Sequence, residues 1–470
     1  MNKHSSWRWT SNLPWLALAV WLGYAAWARG GTRPELLPPA AVMAAFAVVL
    51  SVLLPPKFHG EPYGAARVRM LKNTLRDPVF YLGLALLVLL GVQSLNSGRS
   101  PVFDAAVGKW NYGPPPWPGW PSSVCRSESI QMLYWFGGAW LAVWDVRHGL
   151  DCKDRVRLLW ALAGNGAVLA LFGIVQYASG TQRILWTTPL NCYFFASFGY
   201  SNHAGAYFTL LLAVSGGLLL RAIRRQEWAL IGMASALAML NLAGATLSFS
   251  RAAILLAWGL VAFGAFYGML RAWREPSLTT RLNEVLLTVC AVAALVFLYD
   301  LTPANPVRRE LSTISGQGFQ SASPASRWVQ IKVASHMWSD APLFGVGGWG
   351  YRYFLGIYLP PARWNEITTG KANVHNDPLQ FLAEFGAVGA GLLLAIWLVL
   401  LAPALRLLQR VKGLWHAPPL PVLLLAGTFL TLIHSMIDLP FRSPAILWLW
   451  LVCLACVPSL LKRTRIYSPD

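Results

Sequence analysis

A chain of 470 residues that is 56% hydrophobic and 12% charged, with 24 tryptophans, excludes a soluble globular domain and a disordered segment. Its formal charge of +19 would suit a nucleic-acid binder, but the basic residues fall in short segments between long apolar runs. Nucleic acid is therefore not the expected partner, and the charge reads as membrane topology.

Apolar runs of the length that crosses a hydrocarbon layer occur at 12–28, 37–55, 79–95, 129–145, 158–178, 203–220, 228–246, 252–270, 284–300, 386–404, 420–437 and 446–461. The expected fold is all-α, a polytopic membrane protein of about twelve transmembrane helices. Twenty-three lysines and arginines lie in the segments on the side of the N-terminus and eight in the short segments on the other side. The inside-positive rule then places both termini in the cytoplasm. The first run, with Ala26-Trp27-Ala28 behind a weakly basic start, has the look of a signal peptide, but its length and the eleven runs after it favour a retained span. The runs at 228–246 and 252–270 are so close that a re-entrant pair is conceivable; the charge alternation favours two spans.

Three regions follow from this layout: helices one to nine over 1–300, a large outer loop over 301–385, and helices ten to twelve with a cytoplasmic tail over 386–470. An outer loop of this length is expected to serve as a lid or binding segment. Within it, Ser326–Met337 carries Trp328, Ile331, Val333 and Ala334 at helical spacing, which predicts a short amphipathic helix at the membrane interface. The segment Asp340–Tyr351 holds four glycines that would let backbone approach a ligand closely. A second outer loop, 96–128, is rich in proline and tryptophan and is expected to be an interfacial cover without helix.

Polar residues at the outer surface carry the functional signal. Arg251 follows Ser248-Phe249-Ser250 at the mouth of a span, and Arg327 follows Ser326 in the loop helix. Each offers a planar fork of donors suited to phosphate oxygens, though an arginine at a span end is also a common headgroup anchor. His375 lies in His375-Asn376-Asp377-Pro378 just before the tenth span, where Asp377 is the near carboxylate that would orient its ring for acid/base work. His203 and His336 also face outward, so a count of histidines does not select a base.

The context of His375 resembles the O-antigen ligase family, membrane enzymes that attach polysaccharide to lipid A-core. The family's signature is His, then Asn, Ser or Gln, nine residues, Gly, two residues, and Gly, Thr or Tyr. Here His375-Asn376 is followed by 377–385, Gly386, Ala387-Val388 and Gly389. Ser201-Asn202-His203-Ala204, Ser248-Phe249-Ser250-Arg251, Ser326-Arg327-Trp328 and Pro342-Leu343-Phe344-Gly345-Val346-Gly347 also look like the family, and the resemblance spans roughly 195–450. O-antigen polymerases and protein O-oligosaccharyltransferases share the same domain.

The resemblance implies transfer of a glycan from undecaprenyl pyrophosphate to a sugar hydroxyl of lipid A-core, at a periplasmic site in the bacterial inner membrane. Carried over by motif, His375 would be the general base, and Arg251 and Arg327 would hold the pyrophosphate. Asn202, Asn376 and Asp377 would support them. The implied reaction is inverting and needs no cofactor or metal. No Asp-x-Asp triplet occurs in the chain, and a metal site from the scattered Asp340, Glu366 and Asp377 is the weaker alternative. The partners would be the lipid-linked donor, lipid A-core and membrane lipids.

A secondary transporter is the rival from another class, but the sequence shows no pair of Gly/Pro-broken helices in matching halves. Cys125 and Cys192 fall in outer loops, where a disulfide and two free thiols are both compatible with the sequence. Cys453 and Cys456 have redox-motif spacing inside an apolar run and are read as packing.

Overall fold

The computed structural model describes residues 12–283 except 59, 107, 191–193, 275 and 276, five positions between 285 and 293, and then 324–359, 373–410 and 413–462. Eleven of the twelve expected spans contain a helix; the ninth, 284–300, lies mostly outside the described residues. The helices are α1 (Leu13–Trp27), α2 (Leu37–Leu53), α3 (Tyr63–Leu75), α4 (Pro78–Leu95), α5 (Arg126–Trp144), α6 (Cys152–Ala178), α7 (Ser201–Arg224), α8 (Trp228–Leu247) and α9 (Arg251–Ala272). After them come α10 (Pro324–Asp340), α11 (Gly350–Tyr358), α12 (Asp377–Arg410), α13 (Pro419–Ser435) and α14 (Pro444–Lys462). Eight are long and apolar enough to cross a membrane, while α1 and α13 are shorter apolar helices. This is an all-α polytopic membrane protein.

The helix starts are written in the sequence. Pro78 opens α4 behind Asp77, which accepts from the Val79 amide at 3.1 Å. Asp151 accepts from the amides of Lys153 and Asp154 at 2.6 and 2.7 Å ahead of α6. Ser250 accepts from Ala253 at 3.3 Å ahead of α9. Each capping oxygen satisfies an amide that has no partner within its own helix. The close runs 228–246 and 252–270 form the two separate helices α8 and α9, joined by residues 248–250.

α7 and α14 stand at the centre, buried along most of their length. α8, α9, α6 and α13 pack around α7, and α1, α5, α12 and α13 around α14. Lipid tails remove the usual hydrophobic drive between such helices, so close backbone approach and polar glue hold them. Gly138 of α5 sits against Trp448 of α14, whose indole N–H donates to Trp135 O at 2.8 Å. Asn241 of α8 donates to Ala163 O of α6 at 3.3 Å. An apolar cavity of about 170 Å³ lies between α1, α2, α5 and α14, and no histidine lines it.

The loop helix expected from Ser326 exists as α10. It buries Gln330, Val333, Ala334 and Met337, which follow helical spacing, and leaves Trp328 58% exposed. With α11 and Tyr112 it builds a second small core that caps one end of the bundle. The proline- and tryptophan-rich loop contains no helix among its described residues ahead of α5 but an antiparallel hairpin, β1 (Pro101–Asp104) with β2 (Lys109–Tyr112), and Tyr112 packs on Phe354 at 5.1 Å. A second small hairpin pairs Arg183–Ile184 with Thr188–Pro189.

The tenth span differs most. Its helix starts at Asp377 and is broken at Gly386, where φ is 63° and ψ is −171°. The break frees carbonyls before it and amides after it, which need partners inside the protein. The glycine-rich segment supplies them. Val346 N and Gly347 N donate to Ala383 O and Glu384 O at 3.0 and 2.8 Å, while Ala387 N and Val388 N donate to Pro342 O and Leu343 O at 2.8 and 3.1 Å. Two of the four glycines expected to allow close approach of backbone, Gly345 and Gly347, bring it against other backbone of the protein. A Cβ on Gly345 would lie 2.4 Å from the carbonyl carbon of Glu384, and one on Gly386 would lie 2.3 Å from that of Leu343. The close approach is of one protein backbone to another.

Candidate functional site

At the capped end of the bundle, the turn from Met436 to Arg442 between α13 and α14 gathers the residues singled out in the sequence. Asn376 caps the short helix that precedes the break, accepting from Leu379 N at 3.0 Å, and donates through Nδ2 to Met436 O at 2.9 Å. This pins the chain one residue after His375, whose own backbone is held in the left-handed region at φ 55°. Histidine tolerates that region better than bulky residues do, and such conformations persist only where the surroundings impose them.

His375 Nδ1 lies 3.6 Å from Asp438 Oδ1, with the imidazole 20% exposed and the carboxylate 4%. Asp438 is heavily partnered. Tyr200 donates its hydroxyl to both oxygens at 2.9 and 3.1 Å, Asn202 Nδ2 donates to Oδ2, and Leu439 N donates to Oδ1 at 2.8 Å. Burial works against the charge, but the nearby imidazoles of His375 and His434 and the hydrogen bond from Tyr200 outweigh it and hold the carboxyl at about 2. Burial first and Asp438 second push the Tyr200 phenol well above its ordinary value, so it stays a neutral donor. The arrangement can hold an anionic carboxylate behind an imidazole whose Nε2 is left for other work.

The sequence reading placed Asp377 in this orienting role, and the structure corrects it. Asp377 is fully buried beneath the turn, accepts from Phe441 N at 2.8 Å and faces Arg442 Nε at 3.6 Å. A residue at the start of a helix projects with that helix, and the first turn of α12 aims its side chain inward, away from the ring two residues earlier. Arg442 also donates to Glu384 Oε2 at 2.8 Å and lies 4.7 Å from the rings of both Trp349 and Phe381. Gln380 completes the cluster, donating to Glu384 Oε1 at 3.0 Å and accepting from Val374 N at 3.0 Å.

Arg327 reaches the same turn from α10, donating through Nη1 to Ile437 O at 3.4 Å. Its Nε is buried without a hydrogen-bond partner among the described residues. A buried guanidinium N–H without an acceptor is costly, and a ligand oxygen would relieve it. Arg251 stands at the head of α9. That helix touches α7 where a Cβ on Gly205 would come within 2.3 Å of Ala253 Cβ, one turn from Asn202 and His203.

The other two histidines separate by environment. His203 is 8% exposed, and its Nε2 donates to Leu439 O at 3.0 Å, so that nitrogen is committed to the fold. His336 is exposed on the face of α10 opposite its buried stripe. Among the described residues no group of three or more His, Cys, Asp and Glu side chains is placed to hold a metal. Of the alternative metal set, Glu366 lies outside the described residues, Asp340 accepts from Tyr358 at 2.6 Å, and Asp377 is engaged as above. Cys192 lies outside the described residues, and with it the Cys125–Cys192 pairing.

Sequence reasoning missed Asp438 and Arg442. The signal was present: His434, Asp438 and Arg442 recur every four residues across the junction of two apolar runs, where charge is expensive and marks function or pairing.

The family model described as O-antigen ligase matches residues 234–394, about a third of the chain. The match takes in Arg251, Arg327 and the whole His375–Gly389 signature, and it supports the resemblance to the O-antigen ligase and polymerase superfamily. No curated protein matches the chain.

Proposed function

We propose that the protein is a glycosyltransferase of the O-antigen ligase type, moving a polysaccharide from undecaprenyl pyrophosphate to a sugar hydroxyl of lipid A-core on the periplasmic face of the inner membrane. The observation that carries the reading is the pairing of His375 with Asp438 on the turn that Arg327 also reaches, where its buried N–H has no acceptor among the described residues, at one end of a membrane bundle.

Nδ1 of His375 faces Asp438, so Nε2 takes the proton of the acceptor hydroxyl. The hydroxyl oxygen forms the new bond to the anomeric carbon as the bond from that carbon to the pyrophosphate oxygen breaks, which inverts the centre in one step. The electron pair leaves on the undecaprenyl pyrophosphate, whose added negative charge Arg327 and Arg251 meet. Asp438 compensates the imidazolium as it forms, and Tyr200 and Asn202 hold Asp438 in place. Both substrates are amphiphiles, which suits a site at the end of a bundle with acyl chains alongside the helices.

The test is an in vitro transfer assay with undecaprenyl-pyrophosphate glycan and purified lipid A-core. His375→Ala, Arg327→Ala and Arg251→Ala should each lose transfer, and a chelator should leave the parent unaffected. Full activity of His375→Ala removes the base assignment, and loss on chelation removes the metal-free step. Growth of a lipid-linked polymer without a lipid A-core product makes the enzyme a polymerase with the same chemistry.

A further inference from the structure

Helix α3 is too short and too charged to span a membrane, yet it sits between two spanning helices. α2 runs into it from Leu53 and α4 leaves it at Pro78. The other end of α4 meets the segment 342–347 that pairs with the break in α12 after His375, where Gln93 Nε2 donates to Phe344 O at 3.0 Å. α3 therefore lies at the opposite end of the bundle.

At about 100° per residue, α3 presents three distinct faces. The first is Ala66, Met70 and Thr74, buried on the bundle, with the Trp144 indole donating to Thr74 Oγ1 at 3.0 Å. Arg67 fixes the rotation of the helix by donating to Val52 O and Leu53 O at 3.1 and 3.0 Å, which caps the end of α2. The second face, roughly opposite, is Val68, Leu71 and Leu75, exposed by 53, 58 and 53%. The third carries Lys72 and Arg76, both exposed. The nearby acids are already used. Glu61 pairs with Arg69 at 2.7 Å, and Asp77 is buried against Arg147 and His148 at 2.6 and 2.9 Å.

We propose that α3 lies flat in the headgroup layer of an anionic leaflet, with Val68, Leu71 and Leu75 in the upper acyl region and Lys72 and Arg76 on lipid phosphates. An aliphatic stripe facing away from the protein beside a cationic stripe fits a boundary between hydrocarbon and anionic headgroups, and cations with no ion pair among the described residues specify the sign of the partner. Phe58, 69% exposed just before the helix, extends the apolar edge, and Lys57 stacks on Tyr63 at 3.6 Å beside it. The partner is anionic phospholipid, and this site is independent of the chemistry around His375.

The test uses the full chain in phosphatidylcholine nanodiscs with increasing phosphatidylglycerol, read by thermal unfolding. Lys72→Gln/Arg76→Gln should weaken the apparent phosphatidylglycerol affinity about thirtyfold, the sum expected for two surface cations, and leave Tm in pure phosphatidylcholine unchanged. Equal stabilisation of parent and variant by phosphatidylglycerol overturns the proposal, as does an equal loss of Tm in both lipids, which would make the two residues structural. Leu71→p-benzoylphenylalanine should photocrosslink to lipid. Capture of a protein at that position, including a second copy of this chain, overturns the assignment of lipid as the occupant.

Discussion

Gly386→Ala should be among the most damaging single-methyl changes in this protein, although no chemistry is assigned to that residue. The backbone there, at φ 63° and ψ −171°, belongs almost to glycine alone, and an L-residue forced into it costs about 1–3 kcal/mol. The added Cβ would also stand 2.3 Å from the carbonyl carbon and oxygen of Leu343 and 2.4 Å from the amide of Phe344. These are backbone atoms that no rotamer change can move, so overpacking adds about 1–3 kcal/mol. Relief by backbone shift would strain the four hydrogen bonds that tie 342–347 to the break. The expected loss is therefore at least about 3 kcal/mol, measured as a drop in Tm of the detergent-purified protein, with glycan transfer lost in parallel. Gly391→Ala in the same helix is the control, because a Cβ there meets nothing within 4 Å; it should be neutral or stabilise by up to about 1 kcal/mol. Equal Tm values for the two variants would refute the assignment of the break to Gly386.

Asp438→Asn should lower the transfer rate roughly 10²- to 10⁴-fold and change the pH–rate profile, because an amide cannot compensate the imidazolium of His375; a parental rate and profile would sink the pairing. Arg442→Ala leaves Asp377 and Glu384 buried without the cation that faces both, and should cost about 3–5 kcal/mol in thermal unfolding, so a variant as stable as the parent would refute that cluster. At the other end of the bundle, burial raises the Asp77 carboxyl, but the hydrogen bonds of His148 and Arg147 outweigh it and hold it at about 2. Its folded value is thus depressed below the unfolded one, so its contribution of about 2 kcal/mol is present above about pH 4 and lost as pH falls towards 2. Tm of the parent should drop over that window by more than Tm of Asp77→Asn, and identical acid limbs would show that the ion pair stabilises nothing.

The sequence by itself determined the membrane class, the positions of eleven helices, the loop helix α10 and the signature histidine. Each of these rests on local information: an apolar run of bilayer length, a capping residue, a helical stripe, a fixed spacing. α3 escaped because it divides its surface among protein, hydrocarbon and water, so no single apolar face stands out. The break inside the tenth span was equally hidden, since Gly386 in the sequence is as compatible with a helix as with a kink. Its identity was settled by the carbonyls and amides of 342–347, some forty residues away. The partner of His375 was also a tertiary matter. Asp377 is near in the chain, but the cap made by Asn376 starts a helix whose first turn carries that carboxylate inward to Arg442. Asp438, far along the chain, is delivered by the turn that closes α13 onto α14. Proximity in sequence sets only which residues share a helix; which charges meet is decided by the packing of helices, because each buried charge must find its partner across an interface.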